Sequence, residues 1–175
     1  MLSNVGTFYA NKAGINQQVG VIDVNTSSVG VAFASTNRSS LNVSINTDQK
    51  TGMISKEAGI ADNVVNSFIH EKNHLDSPSL MGTPQGEINA IQSQVLDPSF
   101  TNTTSTYKGA IVSYAAQKLT LEISQGIKLG NVQRNILNLN NMLFGIGRFT
   151  YDATSQSVLF NLGVEEITVT APKIK

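Results

Sequence analysis

The rhythm of apolar and polar positions changes twice along this chain, and each change marks a different kind of element. Leu41-Asn-Val-Ser-Ile-Asn46 alternates with period two, which predicts a half-buried strand. Residues 18–24 and 28–35 are β-rich runs, and Asn25-Thr-Ser27 between them predicts a hairpin. Gly20 and Gly30 weaken these strands or mark bulges. Asp48-Gln-Lys-Thr-Gly52 turns the chain, and Met53-Ile54 adds a short strand.

From about residue 60 the period lengthens to that of a helix. Val64, Val65, Phe68 and Ile69 form an apolar stripe that predicts a helix over residues 60–75, ended by Leu75-Asp-Ser-Pro78. A second helix begins at Thr83 as cap and Pro84 in the first turn. It carries Ile88, Ile91 and Val95 on one side and stops at Leu96-Asp-Pro98. Thr103-Thr-Ser105 caps a third helix running to about Lys118, with Tyr107, Ala110, Ile111 and Tyr114 in one stripe. Leu119-Thr-Leu-Glu-Ile123 fits a continued helix or a strand. Val132, Ile136, Leu139 and Leu143 predict a helix over residues 131–143, despite the asparagines between them. After Gly145-Ile-Gly147, residues 148–151 and 157–160 predict a hairpin, and residues 166–170 a last short strand. The expected class is α+β: a small N-terminal sheet, then helices, then a short C-terminal β-hairpin.

Composition narrows the partners. A chain of 175 residues is expected to form one domain, residues 1–175, with residues 1–15 and 171–175 as flexible ends. Charged residues make up only 14% and balance at twelve against twelve, which gives no electrostatic case for nucleic acid or a membrane surface. No run approaches eighteen apolar residues. Cysteine is absent, so a metal must be held by histidine and carboxylate. The first ten residues lack a basic region and an apolar core, so no signal peptide is expected there. They read as the start of a fragment, or of a domain that travels attached to something larger.

The chemistry lies in His70-Glu-Lys-Asn-His74, on the first predicted helix, which contains both of the chain's histidines. At 3.6 residues per turn, two histidines four apart share a helix face about 6 Å apart. They can grip one zinc ion at roughly 2.0–2.1 Å per bond. Glu71 lies about 100° round the helix, poorly placed to share the ion but able to reach a water on its open side as general base. On the second helix Glu87, Ala90, Ile91 and Gln94 share one face, and small Ala90 permits close approach. Glu87 is therefore the expected third ligand. Asp76, two residues past His74, competes for that role but would point away from the metal if the helix continued. An oxyanion donor would have to be Tyr, Arg or Lys; Tyr107 and Tyr114 come first, with Arg134 and Tyr151 behind them.

These motifs resemble a known family. His70-Glu-Lys-Asn-His74, then Gly86-Glu-Ile-Asn-Ala-Ile-Gln-Ser-Gln94, Asp97-Pro-Ser-Phe100 and Thr106-Tyr-Lys108, look like the metallopeptidase-type toxin domains of bacterial polymorphic toxins. Such domains sit at the C-terminal end of large secreted proteins, including those with RHS or YD repeats. The resemblance covers about residues 60–115. It implies a zincin-like fold, His70, His74 and Glu87 as zinc ligands, and Glu71 as base. It further implies a protein or peptide substrate, secretion or delivery into a target cell within a larger carrier polypeptide, and a cognate immunity protein. Two other readings stay open: a different zinc hydrolase, such as a peptidoglycan amidase, and a non-catalytic zinc-binding or interaction domain.

Overall fold

The computed structural model describes residues 1–24 and 33–162, together with the backbone of 169–170. The chain opens with helix α1 (Leu2–Lys12), followed by strands β1 (Gly20–Val24), β2 (Ala34–Thr36) and β3 (Val43–Asp48). Helices α2 (Ala61–Asp76), α3 (Pro84–Leu96), α4 (Pro98–Asn102), α5 (Ser105–Ser124) and α6 (Leu129–Met142) come next. Strands β4 (Gly147–Asp152), β5 (Ser157–Leu162) and β6 (Val169–Thr170) close it. The class is α+β, with an N-terminal sheet and a C-terminal hairpin as expected.

The N-terminal sheet has the order β1-β3-β2, with β1 parallel and β2 antiparallel to β3. Of the expected hairpin between residues 18–24 and 28–35, the described end of the second arm lies in β2, which pairs with β3 and not with β1. Residues 25–32, which include most of its turn and second arm, lie outside the described residues. The physical reason is burial. β3 is buried at five of its six positions and takes the centre, whereas β1 is almost wholly exposed and takes an edge. Met53-Ile54 forms no strand; Met53 instead accepts the backbone N–H of Asp48 across the turn.

Residues 1–15, expected as a loose end, carry α1 and bury Ala10, Ala13 and Ile15. Gly6 allows this packing, because a Cβ there would come 2.5 Å from Ile45 Cδ1. Thr7 Oγ1 also accepts the N–H of Val19 at 3.0 Å, tying α1 to the chain just before β1. Residues 171–175 lie outside the described residues.

The helices follow the sequence closely. Thr83 caps α3 by accepting the N–H of Gly86, and Thr104 caps α5 by accepting that of Tyr107. The stretch 119–123 continues α5, burying Leu119 in the second core. Asp97 caps the short α4, which the sequence reading did not anticipate.

Two apolar clusters hold the molecule. One joins α1, β2, β3 and α2 through Phe33, Val43, Ile45, Val64 and Phe68. The other joins α3, α5, α6, β4 and β5 through Ile91, Leu119, Leu139, Phe149 and Phe160. Ile111 of α5 touches both. The predicted site residues fall between the clusters, where α2, α3, α5 and β2 meet.

Candidate metal centre

His70 and His74 project from one face of α2, one turn apart, with their Nε2 atoms 3.1 Å from each other. Glu87 reaches them from the first turn of α3. Its Oε2 lies 3.3 Å from His70 Nε2, and its Oε1 3.5 Å from His74 Nε2. Gly86 lets α3 start here: a Cβ on it would collide with the Leu80 carbonyl in the preceding connection. Zinc bonds of roughly 2.0–2.1 Å at tetrahedral angles separate neighbouring donors by about 3.3–3.4 Å. The two imidazole nitrogens, and the Glu87 oxygen turned toward each of them, stand at the spacings that neighbouring corners of such a site require. Among the described residues, this is the one group of His, Asp and Glu side chains arranged to hold a metal ion.

The charges favour a cation at this point. Burial opposes charge on Glu87 most strongly, yet its hydrogen bond to His70 and the two imidazoles outweigh burial and hold its pKa down at about 2. Burial likewise works hardest against a proton on His70, but Glu87 and the charge of Glu71 overcome it and raise its pKa above the ordinary value. His74 is pushed the other way, to about 4, by burial and then by the charge of His70. The three donors together thus favour one positive charge among them.

Gln94 of α3 fixes the first imidazole. Its Nε2 donates to Tyr107 Oη at 3.0 Å and to Asn66 O and Oδ1 at 3.2 Å. Its Oε1 is left to face His70 Nδ1 at 2.9 Å. A proton on Nδ1 satisfies that oxygen and leaves Nε2 of the neutral ring with its lone pair toward Glu87 and His74. Asn66 completes a buried amide clamp between α2 and α3 by donating to the Gln94 carbonyl at 2.9 Å.

Glu71 does not join the three donors. It is buried, and Thr36 Oγ1 at the end of β2 donates to its Oε2 at 2.7 Å. Burial raises its pKa, against the lowering effects of His70 and Thr36. Glu71 lines the same pocket as His70, His74 and Glu87, a cavity of about 660 Å³ open to solvent.

The remaining candidates separate. Asp76 pairs with Lys72 at 2.5 Å on an exposed face of α2. Tyr114 donates to Glu87 Oε2 at 2.9 Å, and its own pKa is raised by burial and then by that carboxylate. The Tyr107 hydroxyl is committed to Ser67 Oγ at 2.7 Å and to Gln94. Tyr151 packs against the second apolar cluster and Arg134 is exposed on α6; neither lines the pocket. The sequence reading missed Thr36, which is 35 positions from its carboxylate partner, and Arg38 in the pocket wall. It placed Gln94 on the face of Glu87 without giving it a partner.

The family model described as metallopeptidase toxin 2 matches residues 1–143. The chain belongs to this family. The likeness first drawn from residues 60–115 thus extends over the N-terminal sheet and the described helices α1 to α6, up to the C-terminal hairpin. No curated protein and no solved structure matches the chain. A metallopeptidase toxin domain implies a divalent metal, and the His70, His74 and Glu87 cluster is able to hold one.

Proposed function

We propose that residues 1–175 form a single zincin-like domain that hydrolyses peptide bonds with a zinc ion held by His70, His74 and Glu87. The observation that carries this reading is the pair of imidazole nitrogens 3.1 Å apart with one Glu87 oxygen 3.3 Å from the first and the other 3.5 Å from the second, opening on the pocket that Glu71 lines. Zinc is preferred over magnesium or calcium because two of the three donors are imidazole nitrogens. Three protein ligands beside an open cavity also suit a catalytic site better than a closed structural one.

When bound, the ion supplies Lewis acidity, polarising the scissile carbonyl and making water acidic enough to ionise near neutral pH. The protein's residues do the rest. Glu71 takes a proton from the attacking water and passes it to the leaving amine. Thr36, by donating to Oε2, steers the other carboxylate oxygen toward that task. Tyr114 and Gln94 hold Glu87 and His70 in their places. Peptides or proteins are the substrates. As a toxin domain, the chain acts after secretion or delivery into a target cell within a larger polypeptide, and a cognate immunity protein restrains it.

The test compares the wild-type chain with Glu71→Gln, both loaded with zinc, on casein as an unfolded protein substrate. Hydrolysis is expected in the wild type, abolished by a chelator and reduced at least about a thousandfold in the variant at equal zinc content. Casein left intact by the zinc-loaded wild type would contradict the peptidase reading.

A further inference from the structure

One cation in the pocket wall has no ion-pair partner among the described residues. Arg38 lines the same cavity as His70, Glu71, His74 and Glu87, and none of the ion pairs among the described residues includes it. Its Nη1 lies beside Gly82, 3.9 Å from where a Cβ would stand, so the side chain reaches from the β2–β3 turn toward the connection before α3. The turn beneath it is well built. Asn37 Oδ1 accepts the N–H groups of Ser39 and Ser40 at 2.9 and 3.0 Å, and the Asn37 carbonyl accepts that of Leu41 at 2.8 Å. Thr36, two residues earlier, is held by Glu71. One short segment therefore sets both the general base and the guanidinium.

The surroundings decide what such a cation is suited to bind. Ala34, Met81, Ala110 and Ile111 give the pocket apolar walls, while Arg38 itself is exposed and accessible to a ligand. Glu71 and Glu87 are the carboxylates among the described lining residues, and neither forms an ion pair with Arg38. A guanidinium presents a planar fork of donors that matches a carboxylate. We propose that Arg38 is a specificity-determining residue that takes a substrate carboxylate at the pocket, so that favoured peptides carry an acidic side chain or a free C-terminus near the scissile bond. This rests on the peptidase reading for the substrate being a peptide.

Four short peptides of one sequence test it, carrying either glutamate or glutamine beside the scissile position, each with an amidated or a free C-terminus. Their binding to Glu71→Gln is measured by calorimetry with and without zinc, and their hydrolysis by the zinc-loaded wild type is followed in parallel. Carboxylate peptides are expected to bind about tenfold more tightly than the neutral amide, the size of one charge-assisted hydrogen bond. The arm that shows the preference, side chain or terminus, identifies its source. Adding Arg38→Gln should bring the ratio close to one, and Arg38→Glu should reverse it in favour of a lysine peptide. Equal binding of all four peptides, or a preference that survives Arg38→Gln, would overturn the proposal and leave Arg38 a solvated surface residue. If binding shows the Arg38-dependent preference but no peptide is cleaved, the peptidase reading falls and the carboxylate site stands. If all four are cleaved at equal rates, the carboxylate site falls and the peptidase reading stands.

Discussion

Gln94 Oε1 stands 2.9 Å from Nδ1 of His70, although the two residues lie on different helices, 24 positions apart. The contact sets which imidazole nitrogen is free to bind a metal, and the glutamine's own amide group is anchored by Asn66 and Tyr107. Its two functions can be separated. Gln94→Glu keeps an acceptor for His70 but loses the donors to Asn66 and Tyr107; Gln94→Leu loses both. Both variants should melt at lower temperature than the wild type. Zinc affinity should fall about 10–100-fold in Gln94→Leu alone. Competitive chelator titrations beside thermal melts make the distinction.

Thr36→Val removes the hydroxyl that donates to Glu71 Oε2 while conserving shape. That hydrogen bond lowers the pKa of a carboxyl which burial already raises, so its loss raises the pKa further. A base must be ionised to act. The acid limb of the profile of kcat/KM against pH should therefore move to higher pH, with roughly a tenfold loss at neutral pH. Zinc content should be unchanged. A uniform loss with an unmoved limb would mean that Thr36 does not tune the base.

Zinc affinity itself should depend on pH in a way set by unequal histidines. His70 holds its proton above the ordinary imidazole value of 6.5, whereas His74 titrates at about 4 and Glu87 at about 2. Metal binding must displace whatever protons the ligands carry. As pH falls below neutral, the affinity should drop about tenfold per unit from His70 alone, and more steeply only near pH 4, where His74 joins. Two equivalent histidines would instead give the steeper slope from about pH 6 downward.

Much of this arrangement was legible from local signals. The stripe of Val64 and Phe68, the Thr83-Pro84 start and the Ala90 face each report on one helix and its neighbour, and each survived folding. The face shared by Glu87, Ala90 and Gln94 even carried the partner of His70, because side chains three and seven apart on a helix meet the same neighbour. What could not be read were relations set by chain crossing. β1 lies parallel to β3, because strand order depends on which strand is most buried, and no local period encodes that. Thr36 reaches Glu71 only because this sheet order leaves β2 at an edge beside α2. The helix of residues 2–12 was hidden for another reason: Gly6, a poor helix former, is required there by the approach of Ile45.

The central claim, that His70, His74 and Glu87 bind one zinc ion, is tested most directly by zinc stoichiometry in a competitive chelator titration. The wild-type chain should bind one zinc per chain. Glu87→Ala should lower the affinity by orders of magnitude, because it removes the oxygen that stands 3.3 Å from His70 Nε2. Asp76→Ala should change it little, since Asp76 is paired with Lys72 on an exposed face. A chain that takes up no zinc after reconstitution with excess metal, or one whose zinc is lost with Asp76 and kept without Glu87, would contradict the account.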